Sequence, residues 1–477
     1  MGPVMPLIDI GDLQLSNSKG AKQTELFKAI REKIVEQLWP IGGKLPSTRK
    51  LAEELSLSRN TVTNTYEQLV AEGYIESRAG SGFYVCIELP EAYLPAPIAH
   101  SAQQSSIPPY NNDGAFASGV PDLNLFPIKK WQRLLQQHSS RVHLLGSQHI
   151  QGSIELRSAL SDYLATSRSV VCNPSRIIIT SGAQQALSIA LMATLSPSDS
   201  ILMEQPGYTQ MSKIINLLGS NFIAAPVVPK LGLDIDLVLQ SNAKALYITP
   251  SNQYPLGTSL DTKQRLSLIE WAVQGNSWII EDDYDSEFQF AHRPYTSMQG
   301  LAGQMGRDEH VIYVGSFSKV MFNSLRLGYL VVPESLISKC LTIKDAITGD
   351  SPAHVQAALA DFIREGDLIR HVRKMRRLYK LKHQAMIDAI KLHLPSSLEV
   401  VSQAAGMHIT LKWHGSIDEQ DLVDAAQKVG LNIRPMSYYE HNKNIERDWN
   451  AVILGFGNVS MDDIPQDIAR LASLFHC

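Results

Sequence analysis

Hydrophobic residues recur at helical spacing near the start of the chain, over residues 22–38 (KQTELFKAIREKIVEQL). The positions that share one face are Leu26, Ile30, Ile34 and Leu38. An apolar stripe with this period predicts an amphipathic helix. The helix is expected to end at residues 39–43 (WPIGG), because proline and glycine interrupt helices.

Two further helices and a pair of strands are predicted next. Ser47 and Ser58 each precede a helical pattern and are good N-caps. The last of these helices is expected to end at Gly73. Residues 74–77 (YIES) and 82–85 (GFYV) have the composition of short strands joined by a glycine-containing turn. Three helices followed by a hairpin predict a winged helix-turn-helix domain of the α+β class.

The pattern changes after this hairpin. Residues 88–112 are rich in proline, serine and alanine without periodicity, which is typical of a linker. Beyond it, apolar strands alternate with longer helical segments, which predicts an α/β domain with a mostly parallel sheet. The strand candidates are 176–180, 200–204, 245–249, 277–281 and 311–315. We therefore divide the chain into a winged helix at 1–87, a linker at 88–112 and an α/β domain at 113–477.

Composition excludes several classes of protein. The 477 residues carry a net charge of −4, so bulk charge indicates no particular partner. The cysteines are scattered, which argues against disulfides and zinc sites; they are Cys86, Cys172, Cys340 and Cys477. No apolar run approaches membrane-spanning length and no signal peptide opens the chain. A cytoplasmic protein without a metal site is expected.

The second helix of a helix-turn-helix reads the major groove of double-stranded DNA, and here it would begin at Ser58. Arg59 suits guanine and Asn60 suits adenine, while Thr61 and Thr63 can contact phosphate or a thymine methyl group. Further candidates at the start of the preceding helix and in the wing are Ser47, Arg49, Arg78 and Ser81. Residues 21–90 carry as many acidic as basic side chains. A winged helix used for protein contacts is therefore the alternative.

Residues 44–85 (KLPSTRKLAEELSLSRNTVTNTYEQLVAEGYIESRAGSGFYV) closely resemble the GntR family of bacterial transcription regulators. The resemblance implies that three elements contact operator DNA: the arginine of PSxR, the SRxT segment and the wing. These positions are Arg49, Ser58, Arg59, Asn60, Thr61 and the turn at 80–82. Thr63 occupies a position where some relatives have arginine, so their base preference is not carried over.

The loop between the apolar segments 311–314 and 327–332 carries Ser316, Ser318, Lys319 and Arg326. A buried lysine is costly unless it is paired or deprotonated, and a desolvated lysine amine can form a Schiff base with an aldehyde. Pyridoxal 5'-phosphate (PLP) is the aldehyde cofactor that uses such a lysine. The loop therefore predicts PLP bound at Lys319.

The rest of the chain offers the other groups that PLP needs. Asp282 and Tyr284, after a strand, can serve the ring nitrogen and the phenolic oxygen. Backbone N–H groups of Ala183 and Gln184, at the start of a helix, form an anion site for the phosphate. The predicted shell is completed by Ser316, Ser318 and Arg326 on the phosphate and by Tyr208 stacked on the ring. Each signal is weak alone, but together they favour a PLP site.

Residues 113–477 resemble the fold type I aminotransferases, and behind a GntR-type winged helix they resemble the MocR subfamily of transcription regulators. The motifs that carry this resemblance are TPSNQYPLG, EDDYDSEF, GSFSK and LRLGYL. The resemblance implies an α/β fold type I PLP-dependent transferase domain with large and small subdomains. It also implies Lys319 as the Schiff-base lysine, Asp282 and Tyr284 on the ring, Tyr208 stacked and Arg326 on the phosphate.

The sequence departs from the aminotransferase pattern at the substrate end. Tyr254 replaces the asparagine that many aminotransferases carry near the ring oxygen, so it joins the predicted cofactor shell. Residues 451–460 (AVILGFGNVS) lack the late arginine that commonly holds the substrate carboxylate, and Gln210 offers no charge. Arg434 is a nearby candidate of undetermined direction. These departures argue against ordinary transamination and favour PLP itself, or an effector without a typical α-carboxylate, as the signal.

A basic run at 369–383 (IRHVRKMRRLYKLKH) contains seven lysines and arginines and no acid. The positions expected to face inward at least in part are Ile369, Val372, Leu378 and Leu381. We interpret the run as the solvated face of a helix. A second DNA-contacting surface is the alternative, because phosphate contacts are additive.

Together these patterns predict a PLP-dependent, DNA-binding transcription regulator rather than an enzyme. The MocR resemblance implies a head-to-tail homodimer whose DNA affinity responds to PLP, an amine or an amino acid. One alternative is an active aminotransferase that carries a DNA-binding domain. Another is a cofactor-free dimerisation scaffold, against which the intact Lys319 argues.

Overall fold

The computed structural model of the chain describes residues 8, 11, 13, 22–87, 114–290, 295–441 and 447–475. The chain divides into two compact units, Met1–Pro108 and Pro109–Cys477. The predicted linker at 88–112 lies outside the described residues. Within the described ranges, no helix combines the length and the hydrophobicity needed to cross a membrane.

The N-terminal unit has the predicted order of elements. They are α1 (Lys22–Val35), α2 (Thr48–Glu54), α3 (Arg59–Ala71), β1 (Ile75–Arg78) and β2 (Gly82–Val85). The hydroxyls of Ser47 and Ser58 accept hydrogen bonds from the backbone N–H groups of Lys50 and Thr61, so both serines are N-caps as predicted. The two strands pair antiparallel and form the wing.

The apolar stripe of α1 closes the core of this unit. Leu26 and Ile30 are fully buried, in one cluster with Val62 and Tyr66 of α3. Burying an aliphatic side chain of this size contributes about 1.5–3 kcal/mol. Leu38, the last position of the predicted stripe, is 58% exposed because α1 ends at Val35. The helix is therefore one turn shorter than its hydrophobic pattern predicts.

The C-terminal unit is built around an eight-stranded sheet. Its strands are β3 (Ile177–Thr180), β4 (Ser200–Gln205), β5 (Asn221–Val228), β6 (Gly232–Leu233), β7 (Ala245–Ile248), β8 (Trp278–Asp283), β9 (Val311–Ser316) and β10 (Gly328–Val331). Their order across the sheet is β3-β10-β9-β8-β7-β4-β5-β6. The five strands from β9 to β5 are parallel, and β10 runs antiparallel to both of its neighbours. The sheet is therefore mostly parallel, as predicted.

Helices cover this sheet and extend the core. They are α4 (Ile128–Ser139), α5 (Ile154–Arg168), α6 (Ala183–Thr194), α7 (Thr209–Leu218), α8 (Ile235–Gln240), α9 (Thr262–Gln274), α10 (Met298–Gln304), α11 (Ile337–Ile347), α12 (Ala353–Arg364) and α13 (Asp367–His393). The inner strands β7, β8 and β9 contact hydrophobic clusters on both faces. Strands covered on both faces are expected to be continuous apolar runs, which is why the sequence displays them clearly.

A second, smaller sheet follows α13. Its strands are β11 (Glu399–Val400), β12 (His408–Trp413), β13 (Arg434–Pro435) and β14 (Asn450–Gly455), in the order β11-β12-β14-β13 with antiparallel pairing. The helices α14 (Glu419–Lys428) and α15 (Ile464–Ser473) accompany it. The chain therefore has the winged helix followed by a large mixed sheet and a small sheet, which confirms the predicted fold class.

Two further details of the sequence interpretation were wrong. The strand β5 was not among the candidates, because Pro226 weakens its pattern and cannot donate a hydrogen bond to a neighbouring strand. In the basic run on α13, Leu381 is 59% exposed, whereas Val372 is buried. The helix turns Leu381 away from the core because its neighbour Lys382 occupies the buried position.

Candidate functional site

A cavity of about 530 Å³ opens where several strands of the large sheet end. Ligands of α/β proteins generally bind at the carboxyl ends of parallel strands. Its wall includes all ten residues predicted for the cofactor: Ala183, Gln184, Tyr208, Tyr254, Asp282, Tyr284, Ser316, Ser318, Lys319 and Arg326. These residues come from segments up to 143 positions apart in the sequence. They meet because the strands that precede them end at the same edge of the sheet.

The acidic run after β8 divides its carboxylates among different partners. Asp282 lines the cavity, while Glu281 accepts hydrogen bonds from the first two backbone N–H groups of α10 at 2.8 and 2.9 Å. Asp283 pairs with the buried Arg168 at 2.5 Å. Alternation along the strand sends Asp282 to one face and its two neighbours to the other. Only one of the three consecutive acids is therefore a candidate for the ring nitrogen.

Asp282 has one oxygen satisfied and one without a partner. Its Oδ2 accepts a hydrogen bond from the Tyr247 hydroxyl at 2.8 Å, and its buried Oδ1 has no partner among the described residues. Burial raises the pKa of Asp282 to about 7, opposed mainly by the Tyr247 hydrogen bond. A buried carboxylate with an unfilled acceptor suits a cationic N–H group such as a pyridinium. This position fits the ring nitrogen of PLP.

Lys319 is half-buried and lines the same cavity. Its Nζ donates to the carbonyl oxygen of Gly119, and burial lowers its pKa to about 8, opposed by the charges of Asp285 and Asp282. A lysine with a lowered pKa has an appreciable neutral fraction near pH 7 and is a nucleophile. Gly119 has a φ of +76°, and a Cβ there would lie 2.3 Å from the Lys319 Nζ. Only glycine leaves room for the amine at this point.

The cavity wall also includes a candidate anion cradle. Gly182 has a φ of +99° and directly precedes α6, whose first N–H groups belong to Ala183 and Gln184. A Cβ on Gly182 would lie 3.4 Å from the guanidinium of Arg326. Arg326 forms no hydrogen bond or ion pair with any described residue. A helix N-terminus together with a guanidinium that lacks a partner suits a phosphate group.

The hydroxyls of Ser316 and Ser318 complete this cradle. Ser316 Oγ donates to Ser318 Oγ at 3.0 Å and accepts from the Ser318 backbone N–H at 3.2 Å. Both serines line the cavity together with Arg326. Their bonds to each other hold the loop in the shape that presents Lys319 to the cavity.

The tyrosines of the site have distinct partners. Tyr284 donates its hydroxyl to the carbonyl of Asn252 at 2.8 Å. The Tyr254 hydroxyl lies 2.7 Å from Ser118 Oγ and 2.8 Å from the Tyr439 hydroxyl. Tyr208 is half-buried at the start of α7, on the wall of the cavity. The structure therefore places all three at the cavity and adds a hydroxyl network that the sequence did not predict.

Sequence reasoning missed several residues of the site. Tyr247 holds Asp282 in place, and Asp285 accepts two hydrogen bonds from Asn252 at 3.0 and 3.1 Å. Burial raises the pKa of Asp285 to about 8. A hydroxyl inside the otherwise apolar strand 245–248 was the available signal for Tyr247. Gly119 gave no signal, because its contact with Lys319 spans 200 positions.

The predicted DNA-contacting residues of the N-terminal unit lie on its surface. Arg59 and Asn60 are exposed on the first turn of α3, and Arg59 forms no ion pair with a described residue. The hydroxyls of Ser58 and Thr61 lie 2.8 Å apart, and Thr63 is half-exposed one turn further on. The first turn of the second helix of the motif therefore presents several polar side chains to solvent.

The first turn of α2 and the wing supply the remaining candidates. Ser47 is exposed, and Arg49 pairs with Glu53 at 3.3 Å along the exposed face of α2. Arg78 stacks over the Tyr84 ring, with its Cζ 4.3 Å from the centroid, and Ser81 Oγ lies 2.6 Å from the Tyr84 hydroxyl. Tyr84 therefore positions both wing residues at the hairpin.

The basic run on α13 is only partly a solvated face. Lys382 is buried and bonds Asp122 at 2.9 Å and the Gly457 carbonyl at 2.8 Å. Arg376 donates to the carbonyl of Glu287. The exposed basic residues of the run are Arg370, Arg373, Lys374, Arg377 and Lys380. The two inward-facing bases tie α13 to the rest of the unit, which is a structural role.

Comparisons with known proteins place this geometry in a class. Residues 115–447 match the family described as aminotransferase class I and II, and residues 22–85 match the bacterial regulatory proteins of the gntR family. The kynurenine aminotransferase of Pyrococcus horikoshii is 24% identical with a TM-score of 0.69, and covers 77% of this chain and 91% of its own. LysN of Thermus thermophilus, an α-aminoadipate aminotransferase, is 23% identical with a TM-score of 0.70, and covers 77% of this chain and 92% of its own. The C-terminal unit therefore has the aminotransferase fold.

Full-length relatives combine the same two parts. The probable rhizopine catabolism regulatory protein MocR of Rhizobium meliloti is 34% identical over 94% of this chain and 93% of its own length. The pyridoxine biosynthesis transcriptional regulator PdxR of Corynebacterium glutamicum is 29% identical over 94% of this chain and 95% of its own length. The chain belongs to the MocR-type transcription regulators of the GntR family, in which an aminotransferase-like domain follows a winged helix.

Proposed function

We propose that this regulator binds PLP in the cavity of its C-terminal unit and that the bound PLP makes its DNA affinity responsive to a small molecule. The observation that carries the proposal is the joint placement of Lys319, Asp282 and Arg326 around one cavity. Each supplies a group that PLP requires, and the Oδ1 of Asp282 and the guanidinium of Arg326 lack partners among the described residues. PLP, when bound, supplies an aldehyde that reacts reversibly with amines.

The residues of the chain have separate roles in this proposal. Lys319 offers a fraction of neutral amine near pH 7, because desolvation lowers its pKa to about 8. Asp282, held by the Tyr247 hydroxyl, would accept a hydrogen bond from the protonated ring nitrogen. Arg326 and the first N–H groups of α6 hold the phosphate. Tyr208 would stack on the ring, Ser316 and Ser318 would support the phosphate, and Tyr254 and Tyr284 would serve the ring oxygen; all five line the cavity.

The DNA-binding part of the proposal rests on the exposed face of the N-terminal unit. Arg59 and Asn60 would read bases in the major groove of an operator, and Arg49 would contact phosphate. The remaining contacts would come from Ser47, Ser58, Thr61, Thr63, Arg78 and Ser81. The segment 88–112 would link this domain, 1–87, to the effector domain, 113–477. A ligand alters DNA affinity only if it binds the two DNA-binding geometries with different affinity.

We propose a head-to-tail homodimer as the active form, as the resemblance to MocR regulators implies. Light scattering of the purified protein tests the mass of the assembly. A protein that remains monomeric at the concentration of operator binding would contradict this part. The regulator is proposed to lack steady-state transaminase activity, because residues 451–460 contain no arginine for a substrate carboxylate.

The complete set of cofactor groups favours one second candidate, a working aminotransferase. Conversion of an amino acid and a keto acid at a steady rate would support it. A single half-reaction without turnover would favour the regulator. Both outcomes leave the PLP proposal itself intact.

The test of the cofactor compares absorption spectra of the wild type and Lys319→Ala after incubation with PLP. We expect a visible band that survives gel filtration in the wild type only. Lys344→Met is the matched control, because the buried Lys344 likewise has a pKa lowered to about 8 but lies outside the cavity. A wild type that takes up no PLP would overturn the proposal.

A second experiment connects the cofactor to regulation. Operator affinity is measured by fluorescence anisotropy for the wild type with and without PLP, and for Lys319→Ala. We expect PLP to change the affinity of the wild type and to leave the variant unchanged. If Lys319→Ala regulates as the wild type does, the C-terminal unit is a scaffold for dimerisation instead.

A further inference from the structure

The first described residues of the C-terminal unit run along the wall of the cavity. Residues 114–120, here called the entry segment, follow the predicted linker 88–112 in the sequence. Four consecutive residues of this segment, 117–120, line the cavity together with Lys319. The part of the chain that continues from the linker therefore also belongs to the candidate cofactor site.

The start of the entry segment is bonded to the region of the small sheet. The carbonyl oxygen of Ala115 accepts a hydrogen bond from the backbone N–H of Asn432 at 2.7 Å. That of Phe116 accepts one at 2.9 Å from Gly455, the last residue of β14. Phe116 is also fully buried. This end of the segment is therefore fixed, and a change at Lys319 acts on the residues beyond Phe116.

The other end of the segment contacts the loop that carries Lys319. The carbonyl oxygen of Gly119 accepts hydrogen bonds from two side chains, the Nζ of Lys319 and, at 3.3 Å, the Nδ2 of Asn323. A carbonyl oxygen has two lone pairs, so it can accept both at once. One backbone oxygen of the entry segment is thus shared by Lys319 and a neighbouring amide.

Asn323 begins the short helical turn Asn323–Leu325 and lines the cavity. The orientation of its amide follows from its partner, because a carbonyl oxygen only accepts and must face the NH2 group. The Oδ1 of Asn323 is then buried and has no partner among the described residues. Since both donors bond to the same oxygen, this unfilled acceptor belongs to an amide that lies beside the amine. A protonated amine has three donors, and Asn323 offers the next acceptor after the Gly119 oxygen.

The covalent state of Lys319 determines whether this arrangement persists, a step that rests on the proposed function. When the amine condenses with the PLP aldehyde, a C=N bond forms and one water leaves, so the nitrogen keeps at most one proton. The nitrogen is then held at the former aldehyde carbon. When an effector amine takes the place of Lys319 on that carbon, its two N–H protons pass to the lysine nitrogen, which is free again.

We infer that the Gly119 carbonyl and Asn323 form the resting site of the free Lys319 amine, and that Asn323 is the positioning residue that keeps this carbonyl in place. The entry segment is tied to Lys319 while the amine is free and is released from it when the amine binds PLP. Because the segment continues from the linker, this change is the route by which the state of the cofactor reaches the DNA-binding domain.

The first test measures PLP uptake by the full chain with Asn323→Leu, a replacement of similar size that neither donates nor accepts. Hydrogen bonds to carbonyl oxygens stabilise a protonated amine more than a neutral one. Loss of Asn323 should therefore move the midpoint of the uptake rate to lower pH. It should also lower the PLP concentration for half-saturation roughly twofold to tenfold, the effect of one hydrogen bond. Visible absorbance and calorimetry measure both quantities, and a purely structural role predicts weaker uptake instead.

Asn323→Asp is the opposing variant. A carboxylate cannot donate to the Gly119 oxygen, and its negative charge stabilises the protonated amine, so the midpoint should move to higher pH. The titratable groups that face the amine are Asp282, Asp285 and His408. All three are unchanged in these variants, so each shift is measured against the wild type.

Asn458→Leu is the matched control. Asn458 also donates its Nδ2 to a carbonyl of the entry segment, that of Gly114 at 2.9 Å, and its Oδ1 is likewise buried without a described partner. It lies outside the cavity wall, so both quantities should stay at the wild-type values. Equal behaviour of the two leucine variants would overturn the inference, as would shifts of both Asn323 variants in the same direction. If Asn323→Leu does not fold, the direction of the Asn323→Asp shift decides.

The second test separates binding from bond formation. 4-Deoxypyridoxine 5'-phosphate has the ring and the phosphate of PLP but a methyl group in place of the aldehyde, so it leaves the Lys319 amine free. Calorimetry establishes its binding, and anisotropy measures the operator affinity of the wild type with each compound. PLP should change this affinity, whereas the analogue at saturation should leave it at the value of the free protein. An equal change with both compounds would overturn the inference.

The outcomes separate this inference from the proposed function. A wild type without a visible band, or one whose operator affinity does not respond to PLP, shows that the proposed function has failed. A visible band and a response to PLP, together with an equal response to the analogue, leave the proposed function standing and remove the inference.

Discussion

In the N-terminal unit the candidate functional side chains lie on the surface, whereas in the C-terminal unit they surround a cavity. Arg59 and Asn60 are exposed on one turn of a helix, and replacing them removes little packing. Asp282 is buried and Lys319 half-buried, and desolvation moves their pKa values to about 7 and about 8. The difference teaches that candidate DNA-contacting groups and stability are separable in the first unit, whereas candidate ligand-binding groups and stability are coupled in the second.

The largest expected effect is a loss of stability that is confined to the C-terminal unit. Arg168 and Asp283 form an ion pair 2.5 Å long with side chains 1% and 2% exposed. Arg168→Met leaves a buried carboxylate without its cation, so we expect a loss of about 3–5 kcal/mol in the unfolding free energy of the C-terminal unit. Hydrogen–deuterium exchange measures this loss peptide by peptide.

The control for this prediction is Arg49→Met in the N-terminal unit. Arg49 and Glu53 form an exposed pair with side chains 80% and 69% exposed, and such pairs contribute about 0.3–0.5 kcal/mol. Exchange in residues 22–85 should therefore change little. Similar losses of protection in both variants would show that the contrast between the units is wrong.

The next effect is on DNA affinity alone. Arg59→Gln should weaken operator binding by about 1–3 kcal/mol, because a bidentate contact to guanine contributes that much discrimination. Its exposed position predicts an unchanged melting temperature and unchanged PLP uptake. Anisotropy titrations at two salt concentrations and a thermal melt measure the three quantities. Lys28→Gln is the matched surface control, since Lys28 lies on α1 rather than α3.

Gly119 tests how tightly the cavity is built around Lys319. Gly119→Ala should strongly reduce PLP uptake, because its Cβ would lie 2.3 Å from the Lys319 Nζ and the residue has a φ of +76°. The visible band measures uptake, and circular dichroism checks the fold. Gly303→Ala on α10 is the control, because a Cβ there meets nothing within 4 Å. Normal uptake by Gly119→Ala would place the reactive amine elsewhere.

The smallest expected effect is a shift in a pH profile. Only the neutral Lys319 amine attacks an aldehyde, so the rate of PLP uptake should rise as the pH rises and level off above about 8, the lowered pKa of Lys319. The negative charge of Asp285 raises that pKa, so Asp285→Asn should move the midpoint to lower pH. Both profiles are measured by stopped-flow absorbance from about pH 6 to about pH 9, in steps of about half a pH unit. A midpoint that does not move, or that moves to higher pH, would contradict the assigned electrostatics.

Much of the fold could be predicted from the sequence because local patterns repeat within short windows. The caps at Ser47 and Ser58 act over three residues, and the apolar strands of the large sheet are covered on both faces. The strand β5 was missed because Pro226 breaks its pattern. Leu381 was assigned inward because helical periodicity alone cannot tell which of two adjacent stripes faces the core.

The candidate site was predicted from side chains whose chemistry is unusual at the end of a buried strand. The amine of Lys319, the carboxylate of Asp282 and the guanidinium of Arg326 each have a clear chemical purpose. Gly119 carries no such signal, and the hydroxyl of Tyr247 in its apolar strand does not reveal its partner, because both roles depend on contacts with distant segments. The three acids after β8 likewise could not be told apart before their neighbours were known.

The sequence by itself therefore determined the two-part organisation of this protein, its local elements and the kind of chemistry at its cavity. Propensities, caps and hydrophobic periods act within a few residues, so they can be read from the chain. The tertiary structure decided which carboxylate faces the cavity, where Lys319 finds room and that Arg434 lines the same cavity. Those outcomes depend on segments as many as 200 positions apart that meet only when the sheet forms, because burial and charge act through space rather than along the chain.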